Sequence, residues 1–251
     1  MDPRFLTLTS EDGVAVVTIN RPEKKNALSP DVLSEIADMF TALNDNTDVN
    51  VIVFTGGESL FSAGFDLNVV KSIEKNSNEA FIALFHRAYR AILFCTQPVI
   101  AAIGGPAIAG GFDLTMMCDI RYASEKAKFG QREIALSLTP IMDPLWRIIG
   151  LGRAKEVALT GRIYDAAEAL RMGYVSDVFP AGELMASVMP IAKTMAGYDR
   201  TCLAETKMLS NMILDKDLDG AMKAQEWLFR SYIGSDDNRK RVDGLLANLK
   251  K

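Results

Sequence analysis

The sequence predicts an α/β fold with an all-helical C-terminal part. Three observations carry that expectation. Short continuous apolar runs, such as Val51-Ile52-Val53-Phe54-Thr55 and Val99-Ile100-Ala101-Ala102-Ile103, end in glycines. That is the pattern of strands buried on both faces of a parallel sheet. Between the runs lie segments with apolar residues at helical spacing, among them Val32, Leu33, Ile36, Phe40 and Leu43. From about residue 181 onward every segment reads as helix. The expected division is a core over residues 1–180 and a helical region over 181–251.

Taken in order, residues 4–9 and 14–20 read as two strands joined at Glu11-Asp12-Gly13, good hairpin chemistry. Asn20-Arg21-Pro22 opens a polar loop that runs through Lys24, Lys25, Asn26, Ala27 and Leu28. Ser29 then offers an N-cap, Pro30 suits the first helical position and Asp31 suits the helix dipole. After the strand at 51–55 comes a loop, residues 60–67, with small residues at its centre. Residues 79–95 read as a helix carrying Phe81, Phe85, Tyr89 and Ile92 on one face, with His86 and Arg87 beside it. Residues 118–123 look like another strand. Asp143-Pro144 reads as an N-cap and first position of a helix running to Gly150. Asp165 caps a further helix over 166–172, which Gly173 ends. A last strand is expected over 174–179. Trp227 and Leu228 mark one later helix, and Val242, Leu245, Leu246 and Leu249 the last.

The chain is organised around residues 98–114, where a buried apolar run is broken by Gly104-Gly105-Pro106. Gly110-Gly111 then lead into an apolar helical segment over 112–117. Asp113 sits in the first turn with almost nothing polar near it in sequence. A helix start presents unpaired N–H groups, and glycines let a ligand approach them closely. Such a place suits an oxygen that becomes negative during a reaction. Four glycines, a proline and a lone acid argue against a lipid-spanning segment.

The 251 residues carry 28 Lys and Arg against 32 Asp and Glu, a net charge of −4. Neither a nucleic-acid partner nor an anionic membrane is expected. Cys95, Cys118 and Cys202 are few, odd in number and set in apolar runs, which fits reduced, buried thiols. The N-terminus lacks the basic and apolar regions of a signal peptide, so a cytoplasmic protein is expected. One histidine and no paired cysteines offer no zinc site.

Several motifs together resemble the crotonase (enoyl-CoA hydratase/isomerase) superfamily. They are Asn20-Arg21-Pro22, Asn26-Ala27-Leu28, Ser62-Ala63-Gly64-Phe65-Asp66-Leu67, Ala109-Gly110-Gly111-Phe112-Asp113-Leu114, Cys118-Asp119 and Phe129-Gly130-Gln131-Arg132-Glu133. The resemblance covers nearly the whole chain in the family's order. It implies a spiral of ββα units, a helical C-terminal region used for trimerisation, and a homotrimer or dimer of trimers. It also implies an acyl-CoA substrate, with coenzyme A arriving as part of the thioester and no separate cofactor. Two backbone N–H groups, those of Phe65 and Gly110, would hold the thioester oxygen as an enolate forms. Each such donor is worth on the order of 3 kcal/mol. Asp113 and Glu133 would be the catalytic acids, and apolar neighbours would raise their pKa values. Lys25, Ala27, Leu28, Ala63, Asp66 and Leu67 would meet the coenzyme A moiety, and Pro140 would border the substrate. Lys24 is as good a phosphate partner as Lys25.

The sequence departs from the family in two informative ways. Many hydratases have Glu where Asp113 stands, and Asp is shorter by one methylene, roughly 1.5 Å of reach. Residues 137–143 also lack the family's glycine-rich run. Hydration of a 2,3 double bond is the expected reaction. The alternative is isomerisation, in which Glu133 alone would shuttle a proton. A third reading is an aryl- or cyclic-acyl-CoA hydrolase like the family's dehalogenases, with His86 and Asp143 as accessory residues. The last is a non-catalytic binding module, which retention of both acids and of Gly110 argues against.

Overall fold

The computed structural model describes residues 3–249. Strands β1 (Leu6–Glu11) and β2 (Val14–Ile19) form the expected antiparallel hairpin. Asp12 and Gly13 turn it with φ of 51° and 76°, the two positive angles of a type I′ turn. Helix α1 (Pro30–Asn44) begins as expected, with Ser29 Oγ accepting from the Val32 N–H at 3.4 Å. Its apolar stripe, Val32 to Leu43, is buried.

Strands β3 (Val51–Thr55) and β4 (Val99–Ile103) are buried throughout. They lie in a six-stranded sheet with β6 (Ile120–Ser124) and β9 (Asp177–Phe179), in the order β1-β2-β3-β4-β6-β9. From β2 to β9 all neighbours run parallel. A second, short sheet is made of β5 (Ala107–Ile108), β7 (Lys128–Gly130) and β8 (Tyr164–Asp165). Parallel bridges extend its row to earlier turns of the chain, Ser62 with Ala107 and Leu28 with Phe65. Each pass of the chain therefore contributes one strand to the large sheet and one segment to the small row. That is a spiral, and it stacks successive turns backbone to backbone. At Gly105, between β4 and β5, a Cβ would lie 2.0 Å from the Ser59 oxygen, so no larger residue fits.

The helices are α2 (Leu67–Ser72), α3 (Glu79–Leu93), α4 (Gly110–Met116), α5 (Leu145–Thr160), α6 (Ala166–Arg171) and α7 (Leu184–Ala196). Three more follow, α8 (Arg200–Met212), α9 (Leu218–Tyr232) and α10 (Asp236–Leu249). The chain divides between Arg200 and Thr201 into two compact units. Helix α7 belongs to the first: it packs across the sheet, and the Ala196 carbonyl accepts from Asn50 Nδ2 at 2.8 Å. The second unit holds its own contacts, among them Tyr232 O–H with the Glu205 carboxylate. Among the described residues no helix is long and apolar enough to cross a membrane.

Three local expectations need correction. Asp143 does not cap α5, which starts at Leu145; its carboxylate accepts from Arg147 Nε at 2.8 Å instead. The strand expected over 174–179 is only Asp177–Phe179. Tyr174 leaves the sheet because its N–H closes α6 on the Ala169 carbonyl and its ring stacks on Phe112. Finally, Cys202 on α8 is exposed rather than buried, whereas Cys95 and Cys118 are buried; helix α2 is capped by Asp66, whose Oδ1 accepts from the Asn68 N–H at 3.1 Å.

Candidate active site

The site is assembled where the small row of segments ends. Asn26 pins the first turn to the second: it is buried, and its Nδ2 donates to the Gly56 and Phe61 carbonyls at 3.1 and 3.0 Å. Ser62 Oγ donates to the Asn26 carbonyl at 2.7 Å and accepts from the Gly64 N–H at 3.1 Å. Leu28 then clamps the chain on either side of Phe65. Its N–H donates to the Gly64 carbonyl at 2.9 Å, and its carbonyl accepts from the Asp66 N–H at 3.1 Å. In a parallel bridge the intervening N–H, that of Phe65, points to the other side. On that side lies the start of α4. A Cβ on Gly64 would meet the Ile108 oxygen at 2.7 Å and the Gly110 nitrogen at 3.1 Å, which only a glycine avoids.

Ala109 turns the chain into α4 with φ 51° and ψ −128°, a conformation that strains any residue bearing a Cβ. Its N–H is tied to the Gly130 carbonyl at 2.8 Å. Gly110 is the first helical residue, so its N–H has no intrahelical acceptor. Among the described residues neither the Phe65 nor the Gly110 N–H donates a hydrogen bond. Two neighbouring backbone donors thus remain available to an incoming oxygen.

One turn further, Asp113 is 1% exposed. Its Oδ2 accepts from the Tyr89 hydroxyl at 3.3 Å and its Oδ1 from Gln131 Nε2, also at 3.3 Å. Gln131 is held in turn by donating to the Ile141 carbonyl at 2.6 Å. Glu133 opens a 3-10 turn two residues after Gln131 and is 5% exposed. Neither of its carboxylate oxygens has a hydrogen-bond partner within the protein. Burial pushes the Asp113 carboxyl well above the usual range, and the charge of Glu133 pushes it further. The bonds from Gln131 and Tyr89 act in the opposite sense. Glu133 is raised too, chiefly by burial. Like charges in a dry site resist joint ionisation, so the pair titrates as one unit.

Phe65, Asp113 and Glu133 all line a cavity of about 370 Å³, together with Phe81, Phe85 and Ile141. The other expected residues lie elsewhere. Lys25 and Ala63 are exposed neighbours, joined by the Ala63 N–H to the Lys25 carbonyl at 3.0 Å. Lys24 and Leu67 are exposed, Ala27 is half-buried and Leu28 is buried. Asp66 faces Arg21, whose Nη1 lies 3.5 Å from its Oδ2. Pro140 is buried between two wall residues, Thr139 and Ile141. His86 is exposed with its ring against Phe85, and Asp143 is exposed beside Arg147; neither lines the cavity. Tyr89 and Gln131 were given no role in the sequence reading. The available signals were a hydroxyl on an otherwise apolar helix face and an amide two residues before the acid.

The profile of the enoyl-CoA hydratase/isomerase family matches residues 9–251. The crotonyl-CoA hydratase of Syntrophomonas wolfei is 35% identical over 250 residues, covering 98% of this chain and 95% of that protein. The short-chain-enoyl-CoA hydratase of Clostridium acetobutylicum is 33% identical over 254 residues, covering 100% and 97%. Among solved structures, the enoyl-CoA hydratase of Bacillus anthracis superposes with a TM-score of 0.91 at 29% identity, over 98% of this chain and 96% of that one. With the spiral fold and this full-length similarity, the chain belongs to the enoyl-CoA hydratase/isomerase family.

Proposed function

We propose that this enzyme adds water across the 2,3 double bond of an enoyl-CoA thioester. The observation that carries the reading is two buried carboxylates facing one cavity beside two unengaged backbone N–H groups. Relatives named as hydratases, 33 and 35% identical over nearly their full lengths, support it.

The thioester oxygen would accept from the Phe65 and Gly110 N–H groups, which stabilise the enolate charge as it develops. Asp113 would take a proton from water; the hydrogen bonds from Tyr89 and Gln131 favour its ionised form against the burial and the neighbouring charge that raise its pKa. Glu133, whose carboxyl pKa burial also raises and whose oxygens have no side-chain partner, would deliver a proton to C2. Water oxygen bonds to C3, the π electrons move to the enolate, and C2 gains the Glu133 proton. The coenzyme A moiety would lie along Lys25, Ala27 and Ala63, with Lys25 or Lys24 at its phosphates. Assembly as trimers would cover exposed apolar side chains of the C-terminal helices, such as Trp227, Phe229 and Leu245. A cytoplasmic location fits reduced thiols.

One observation favours a second reading. Both oxygens of the short Asp113 are engaged by protein donors, whereas those of Glu133 are unpaired, as a single-base isomerase would require. Asp113→Asn and Glu133→Gln separate the two when hydration of crotonyl-CoA and isomerisation of a 3-enoyl-CoA are measured side by side. A hydratase loses roughly 10²–10⁴-fold in rate with either change. An isomerase suffers severely from the Glu133 change alone. Two near-silent variants would defeat both readings.

A further inference from the structure

We infer that the acyl group this site takes is an apolar chain of about eight to ten carbons, far longer than crotonyl, seated against α2, α3 and residues 138–141. The inference rests on the hydratase reading and concerns the cavity beyond the two acids.

That cavity has a direction. Phe65, Asp113 and Glu133 are in its wall, but Lys25, Ala27, Leu28, Ala63, Asp66 and Leu67 are not. It therefore lies on the acyl side of the reacting bond, away from the loops expected to meet coenzyme A. Its remaining wall is mostly apolar: Val70 and Ile73 at α2, Phe81 and Phe85 on α3, Leu138 and Ile141 after the second acid. Phe65, Phe81 and Phe85 pack on one another with ring centroids 5.2 to 5.9 Å apart, a rigid aromatic flank. Two further apolar wall residues, Ile82 and Leu138, are 39% and 41% exposed, surface that a hydrocarbon chain would cover. Glu74 and Lys75 are both exposed where the wall meets solvent.

The volume, part of it open to solvent, bounds the length. Crotonyl places a single methyl beyond C3, which would leave most of about 370 Å³ unfilled. At about 30 Å³ per water-sized group, the space takes roughly a dozen such groups. Three of them are the carbons of the reacting unit, and the rest correspond to a chain with room for its motion. A buried methylene contributes about a fourfold gain in binding, so chain length is read directly in kcat/KM.

The test has two arms on the full-length enzyme. In the first, saturated butanoyl-, octanoyl- and decanoyl-CoA are titrated by calorimetry, which requires no turnover. In the second, kcat/KM is measured for crotonyl-, 2-octenoyl- and 2-decenoyl-CoA. We expect Kd to fall and kcat/KM to rise about 10²-fold from four to eight carbons. Hydration that is flat or declining with length overturns the chain assignment and leaves the hydratase reading standing. Length-dependent binding without hydration at any length overturns the hydratase reading and keeps the chain. The half-buried Val70 supplies a second measurement: Val70→Phe should lower the octenoyl-to-crotonyl ratio of kcat/KM at least tenfold. An unchanged ratio would remove the chain from this wall.

Discussion

Asp113 occupies a place where a carboxylate is costly, and the groups around it show how the cost is met. Tyr89 and Gln131 supply donors from two separate segments, and Tyr89 O–H also lies 3.5 Å from the Gly110 carbonyl. Tyr89 acts through Asp113, as a positioning residue. Tyr89→Phe removes a bond that lowers the Asp113 pKa, so the acidic limb of the pH–rate profile should move to higher pH. A loss of roughly tenfold or more in kcat is expected, the worth of a hydrogen bond to a charged group. A fall in thermal stability with an unmoved limb would reduce Tyr89 to packing. Gly110 can be tested in the same spirit. Gly110→Pro deletes the N–H and should cost at least about 10²-fold in kcat. Gly110→Ala is the control: it keeps the N–H, and the nearest atoms to its Cβ are side-chain ones, the Phe65 ring edge at 3.2 Å and Leu28 at 3.3 Å, which need yield by only a few tenths of an ångström. Equal activity of the two variants would remove this N–H from the mechanism.

At the level of elements, side chains such as Asn26 tie one turn of the spiral to the next. Asn26 accepts from the Arg21 N–H at 2.8 Å while donating to the second turn, and its own φ is 52°. Asn26→Ala would take the amide partner from the buried Phe61 carbonyl, the half-buried Gly56 carbonyl and the Arg21 N–H. A loss of about 3 kcal/mol in urea unfolding is expected, since each orphaned group costs roughly 1–3 kcal/mol. Activity should fall as well, because Ser62 and Gly64 are set by the same residue. A variant as stable as the parent would show that the turns are held by backbone packing alone. Capping at this scale was readable from sequence: Ser29, and Asp165, whose Oδ1 accepts from the Glu168 N–H at 2.8 Å. Asp143 was not, because Arg147 one turn on outcompetes the helix N-terminus for its carboxylate.

For the molecule as a whole, burying Asp113 and Glu133 couples folding to pH. Both carboxyls are raised in the folded state, so the native protein holds protons that the unfolded chain has released. The contribution of this pair to stability is therefore greatest below the ordinary carboxylate pKa of about 4 and declines as pH rises through the raised values. Melting temperature should fall on that upward sweep, after allowance for other groups. Asp113→Asn should flatten the slope. A slope unchanged in Asp113→Asn and Glu133→Gln alike would show that the pair is not raised.

The sequence by itself determined the hairpin, the helix caps at Ser29 and Asp165, the buried strands and the family. Those features rest on short-range causes: turn sterics, cap hydrogen bonds, side-chain periodicity and motifs in a set order. Tertiary structure alone decided which of the candidate site residues meet. The two-residue strands β5 and β8 exist only because the spiral brings each beside β7. Asp113 receives its donors from residues 24 positions before it and 18 after. Glu133 lies dry against the cavity, whereas His86 and Asp143 face solvent. Desolvation and long-range hydrogen bonding separate these acids, and neither is encoded in any local stretch of the chain.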